Sequence, residues 1–267
     1  MKHILSPLKI TSFFLLLLTG LSACNKEGPA ATKAMHVVIN GYNGTAHELV
    51  VGIDTTMYGK NVSNAKYVIQ PASVIGFSIT YTYPDDQQQR MVTLRDPESN
   101  KILFSKPLPA TGTKASYNFI YLDGKEMELT PPAIDASTNK LGFYVYDTGS
   151  SEPFDMFLYK INTETGQEYR HYLAKNIKPG SWAYVDYIAS ADFGTKSTLK
   201  NSSIYFTKTG TTDQWAFQDD ENSSKVSSFP LSFPITGEKG LVQSYFIAPG
   251  SSKLDISRLY FHPDRIW

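Results

Sequence analysis

The chain has 267 residues, with 25 Lys and Arg against 25 Asp and Glu, 17 Tyr, 15 Phe, five His and a single Cys. Zero formal charge supplies no electrostatic drive toward nucleic acid, and one cysteine makes neither an intramolecular disulfide nor a cysteine-rich zinc site. The length suits one large domain or two small ones.

In chain order, Lys2 and Lys9 form a positive start, and the apolar run from Ile10 to Leu18 is too short to span a bilayer. This pattern reads as a signal peptide over residues 1–23. It closes on Leu21-Ser22-Ala23-Cys24, four residues that resemble the lipobox of bacterial lipoproteins. The resemblance implies that Cys24 is acylated and becomes the first residue of the mature chain, which spends the only thiol on an anchor. Each buried methylene of an acyl chain contributes about 0.8 kcal/mol, enough to hold the protein on a membrane without crossing it. Asn25-Lys26-Glu27 places no aspartate after the cysteine, which among lipoproteins favours the outer membrane, and a basic-acidic pair there is similar to a surface-export tag. Removing 1–23 takes away Lys2 and Lys9 and no acid, leaving 23 basic against 25 acidic groups. Residues 24–34, with the small polar run Gly28–Ala34, read as a lipidated tether.

From Met35 onward no sustained 3.6-residue stripe occurs, and short β-branched or aromatic runs recur between Gly, Pro, Asn and Asp clusters. Strands are predicted at His36–Asn40, Glu48–Ile53, Ser73–Tyr83, Arg90–Leu94, Lys101–Phe104 and Ser116–Leu122. A second set covers Leu141–Tyr146, Asp155–Ile161, Trp182–Ala189, Ser203–Thr207, Gln214–Gln218 and Leu241–Ile247. The sets align: an opening hairpin, then Ile69-Gln70-Pro71 against Ile177-Lys178-Pro179, then Pro109-Ala110-Thr111-Gly112 against Pro234-Ile235-Thr236-Gly237. The expected fold is all-β, with two tandem immunoglobulin-like β-sandwich modules at 35–130 and 138–267. The linker 131–137 opens with Pro131-Pro132 and should hold the modules semi-rigidly apart. Without a disulfide, buried aromatics must fill both cores.

Ile102 and Pro109 are 7 residues apart, whereas Trp215 and Pro234 are 19 apart. The added length holds Asp219-Asp220-Glu221-Asn222, and loops on rigid sandwiches commonly carry binding. Trp215 and Phe217 share one strand face just before it, so Trp215, Phe217, Asp219 and Asp220 form the candidate ligand platform, with aromatic faces for a sugar ring beside carboxylates; the alternative is that Trp182 and Trp215 are core tryptophans of the second sandwich. The acidic run lacks the spacing of an EF-hand loop, and no histidine pair has ligand spacing, so neither a metal nor another cofactor is expected. No nucleophile elbow or phosphate loop occurs.

The mature chain is similar to uncharacterised two-module outer-membrane lipoproteins, a resemblance resting on the lipobox, the opening hairpin and the duplication. It implies fold and location, and no activity. The expected function is therefore a membrane-anchored, non-enzymatic binding module for a glycan or a surface protein, facing the periplasm or the exterior. The alternatives are a structural or adhesive pilin-like subunit and a hydrolase with an unrecognised carboxylate pair. Pilin-like lipoproteins are typically cleaved after an arginine in the first strands, and here the first arginine is Arg90. Replacing Cys24 with Ser should abolish incorporation of labelled palmitate and move the protein out of the membrane fraction; labelling that survives the change would show that the anchor is elsewhere.

Overall fold

The computed structural model describes residues 31–86, 88–147, 149–226, 232–250 and 253–259. The signal peptide, Cys24 and the tether up to Ala30 lie outside the described residues. Contacts divide the chain into a small unit, 1–34 with 82–88, and a large one, 35–81 with 89–267. In the small unit the backbone N–H of Asp85 donates to Ala31 O (2.8 Å) and Lys33 Nζ pairs with Asp85 Oδ1 (2.7 Å). Thr32 to Ala34, expected as tether, is accordingly already strand.

The first half builds β1 (Thr32–Asn43), β2 (Val50–Ile53), β3 (Thr56–Tyr58), β4 (Ser73–Pro84), β5 (Met91–Arg95), β6 (Ile102–Pro107), β7 (Lys114–Leu122) and β8 (Lys125–Glu126). The second builds β9 (Asn139–Val145), β10 (Phe154–Ile161), β11 (Glu168–Ile177), β12 (Trp182–Tyr187), β13 (Ser203–Lys208), β14 (Lys225–Val226), β15 (Val242–Pro249) and β16 (Leu254–Leu259). Helix α1 (Lys196–Lys200) is a single capped turn and a half, closed by Thr195 and Thr198. The protein is all-β.

The duplication is visible in the strand order. The first half has sheets β4-β1-β7-β8 and β3-β2-β5-β6; the second has one eight-stranded sheet, β11-β10-β13-β14-β16-β15-β9-β12. Its two ends, β12-β9-β15-β16 and β11-β10-β13, repeat the two sheets of the first half. In both halves the opening strand lies parallel to the penultimate one, with Val37 opposite Ala115 and Phe143 opposite Tyr245. The halves differ at one side. β16 pairs with β15 from Ser244 to Pro249, and β14 joins it to β13 through Val226, whereas β8 pairs only Tyr121 and Leu122 of β7.

Aromatic rings fill both cores. Phe104 meets Phe119 at 5.5 Å and Tyr58 meets Phe77 at 5.5 Å, linking the two sheets of the first half. Phe143, Phe154, Phe206, Phe233 and Tyr245 occupy one buried cluster in the second. Two expected details differ. β3, β8, β11, β14 and β16 are missing from the predicted strands; in β11 only Leu173 is buried, so this edge strand shows no alternating stripe. The strand predicted at Gln214–Gln218 reduces to one bridge, Thr207 opposite Trp215. Here the Phe217 N–H donates to Ser224 Oγ (2.8 Å) and its carbonyl accepts from Asp220 N–H (3.1 Å), so the backbone bonds to its own loop rather than to a ladder.

The halves are not held apart. Tyr42, Ile120 and Leu122 of the first form one buried cluster with Tyr144, Phe246, Ala248 and Leu259 of the second. Phe246 stacks on Tyr144 at 5.2 Å and 10° and meets Tyr42 at 4.9 Å. Beside them Ser257 Oγ accepts from Gly41 N–H (2.8 Å) and donates to Ile75 O (3.0 Å), while Asn40 Nδ2 donates to Arg258 O (2.7 Å). Gly41 is required there: its φ is +140°, and a Cβ would lie 1.7 Å from the Phe119 carbonyl oxygen. Replacing Phe246 with Ala should cost about 3–5 kcal/mol in urea unfolding. Replacing Ile161, which is 48% exposed, should change stability by less than about 0.5 kcal/mol.

Candidate functional site

The long loop of the second half is mostly a strut. Phe217 is 6% exposed and packs between Phe154 (5.5 Å) and Phe206 (5.6 Å), so it belongs to the core and does not offer its face to a ligand. Trp215 is half-buried, 5.6 Å from the Tyr205 ring. Asp219 and Asp220 are exposed. Gln218 and Asp219 both have left-handed φ, 54° and 50°, a strained pair that turns the chain sharply away from Phe217.

Each acid of the run has a local partner. Lys208 Nζ donates to Asp219 Oδ1, and Asp220 Oδ1 accepts from the Ser223 N–H (2.8 Å), which with the Ser223 hydroxyl holds the Asp220 carboxyl below its ordinary value. Glu221 Oε1 accepts from Lys225 Nζ (3.0 Å) and from Tyr205 OH (3.0 Å); Lys225 first, then Tyr205, keeps Glu221 low. Burial, followed by Glu221, pushes the Tyr205 phenol up. Fully buried Ser224 pins the Phe217 carbonyl, and the chain passes directly into β14. The insertion thus supplies the strand that closes the second half. Among the described residues no group of three or more His, Cys, Asp and Glu is placed to hold a metal.

What the loop does border is a cavity of about 490 Å³ at one end of the second sandwich. Three turns far apart in sequence meet there: Asp147, Gly149 and Ser150 after β9; Gln218 and Ser223 from the insertion; and Pro249, Gly250 and Lys253 between β15 and β16. Phe217 and Leu254 contribute an apolar floor, and the rim carries one carboxylate, one ammonium, an amide and two hydroxyls. Of the four predicted platform residues, only Phe217 lines this space. Trp215 does not line it, and neither Asp219 nor Asp220 does, although both lie between the lining residues Gln218 and Ser223. The sequence reading missed Asp147, Gln218 and Lys253. The one signal was the opening hairpin of the repeat, whose turn Asp147 enters, and it aligns the halves without marking a site.

Other reactive side chains are otherwise engaged. Asp155, 3% exposed, accepts from the N–H groups of Asn176 (2.8 Å) and Gly210 (3.0 Å). His36 Nε2 lies 3.3 Å from Ser78 Oγ on an exposed sheet face. His47 Nδ1 lies 3.3 Å from Asp96 and 3.2 Å from Glu98. His171 packs beside Tyr187 at 5.8 Å and Phe193 at 6.3 Å, and burial lowers its pKa from 6.5. The unfolded chain therefore binds a proton at pH values where folded His171 does not. The His171 contribution to stability is intact above pH 6.5 and is lost as pH falls through the lower, folded-state value. The lowered carboxyls of Asp96, Asp135, Asp220 and Glu221 act in a separate, more acidic window, around and below their ordinary values. Urea midpoints should fall between pH 7 and pH 5.5, and His171→Gln should flatten that fall; an equal slope in the variant would exclude His171 as the cause.

No protein-family model matches the sequence, and no curated protein matches it. Among solved structures, a provisionally assigned cell adhesion protein from Bacteroides uniformis is 12% identical, with 84% of this chain and 96% of that one covered and a TM-score of 0.29. The Bacillus anthracis TIE protein is 10% identical, covering 81% of this chain and 34% of its own, with a TM-score of 0.18. A leucine-rich repeat protein from Bacteroides thetaiotaomicron is 10% identical, covering 83% and 26%, with a TM-score of 0.15. At these scores the overlaps establish no common fold.

Proposed function

We propose that the chain is a lipid-anchored, non-catalytic binding module that presents the cavity at the end of its second sandwich to a glycan. Cys24 would carry the anchor at the outer membrane, and among the described residues no helix is long and apolar enough to cross a membrane. The observation that carries the reading is the cavity's make-up. Its 490 Å³ falls within the range of small-ligand sites and suits one or two sugar rings. Asp147, Gln218, Ser223 and Lys253 offer donors and acceptors for hydroxyl groups, while exposed Pro249 offers an apolar surface for the C–H face of a ring, with buried Phe217 and Leu254 as floor.

The reading shifts the sugar contact away from Trp215, whose ring leans on Tyr205 outside the cavity. A glycan array probed with the mature protein should retain at least one sugar class. Gln218→Ala and Lys253→Ala should each weaken binding about tenfold, the loss of one hydrogen bond to a polar or charged group, with Trp215→Ala near wild type. No retained sugar, or binding unchanged in both cavity variants, would overturn the assignment.

A further inference from the structure

The two repeats treat the same edge in opposite ways. In the second, β15 has β9 on one side and β16 on the other, and β14 seals β16 to β13. In the first, β7 has β1 along its length, but β8 leaves it after Tyr121 and Leu122, with one further bond from Met127 N–H to Ile120 O (2.8 Å). Among the described residues, no strand lies beside β7 from Ala115 to Phe119 on the side away from β1. A groove of about 670 Å³ occupies that place, bounded by β6, β7 and residues 126–129.

The groove has the parts of a strand acceptor. Phe104, Met127 and Leu129 give it an apolar lining, and Tyr117 OH donates to Pro107 O (2.7 Å), tying β7 to β6 across it. Parallel pairing aims the odd-numbered carbonyls of β7 at β1, as Thr113 O accepting from His36 N–H shows. Ser116, like Ile120, therefore aims its backbone N–H and C=O at the open side. Its Oγ is buried without a hydrogen-bond partner.

We propose that this edge accepts an extended segment of another polypeptide as an added strand of the β4-β1-β7-β8 sheet, antiparallel to β7 as β16 is to β15. Charge selects the occupant. Glu126 and Glu128 line the groove, are exposed and form no ion pair among the described residues, and the groove's lining holds one cation, Lys106. The segment alternates apolar residues, which enter between the sheets, with Lys or Arg facing the two carboxylates. Five residues at about 3.4 Å each fill the open stretch. Main-chain bonds give the affinity and the alternate side chains the selectivity. The site is separate from the glycan cavity, and neither reading depends on the other.

The probe is a synthetic peptide, Lys-Leu-Lys-Ile-Lys-Leu-Lys, which keeps Lys253, Leu254 and Ile256 of the strand that fills this place in the second repeat and sets lysine at every alternate position. Added to the full mature chain, it should bind and slow amide exchange at Ser116 by about tenfold or more. Ser116→Pro removes the N–H on the open side, spares the bonds to β1 and should abolish binding. Glu126→Lys combined with Glu128→Lys should weaken binding about tenfold and decides the matter if Ser116→Pro does not fold. Unchanged exchange at Ser116, or full binding in the charge-reversed variant, overturns the proposal. So does self-association of the chain alone that Ser116→Pro removes, since the occupant would then be a second copy.

Discussion

The buried seam between the halves governs the rest of the structure. Two sheets meet back to back there, so their central strands must be apolar on both faces. β15 shows the consequence, with seven of its eight residues buried, and β9 has six of seven. Such strands cannot alternate inside and outside; they read as nearly continuous apolar runs. The same contact fixes the polar details at its rim. Ser257 is 4% exposed and would be costly to bury alone, but its hydroxyl accepts from Gly41 and donates to Ile75. Because Gly41 is also pressed against the Phe119 carbonyl, one position serves the first sheet and the seam together. The two prolines of the linker then join bodies already locked by packing.

Divergence between the repeats follows from what each does with its last strand. In the second, the chain has length to spare, and the insertion folds back as β14 to close the sandwich. Its acids are used as turn acceptors and ion-pair partners, and its αL pair at Gln218 and Asp219 brings Ser224 back under Phe217. Closing that side leaves the turns at one end to surround a cavity. In the first repeat the chain must leave early to reach the linker, and β8 stops after two residues. One duplication thus yields an end cavity in one copy and an open edge in the other.

Much of this was legible from residue order. Alternation marked β4, short apolar and aromatic runs marked β10 and β13, and recurring turn motifs marked the duplication that the strand order displays. Two kinds of feature were not legible. β11 is an edge strand whose charged residues face water, Arg170 lying over the rings of Phe157 and Tyr159, so its pattern carries no core stripe. Trp215 and Phe217 share a face in the sequence pattern, but the hydroxyl of Ser224 diverts the backbone and Phe217 goes inward. The cavity is a third case. Asp147, Gln218 and Lys253 come from turns about 35 to 70 residues apart, and only the folded sheet order brings them together.

An open edge is a hazard, because unpaired ladder groups invite indiscriminate pairing, and the first repeat limits that hazard by length and charge. The slot spans five residues of β7, so only one short strand fits it. Its rim sets Glu126 and Glu128 against any incoming chain. Two copies meeting edge to edge would oppose these carboxylates, and like charges facing each other across strands disfavour pairing by roughly 0.2–1 kcal/mol for each pair. A basic, alternating strand gains by the same interactions. The charge that would make the edge selective for such a partner would therefore also oppose pairing between two copies of the chain.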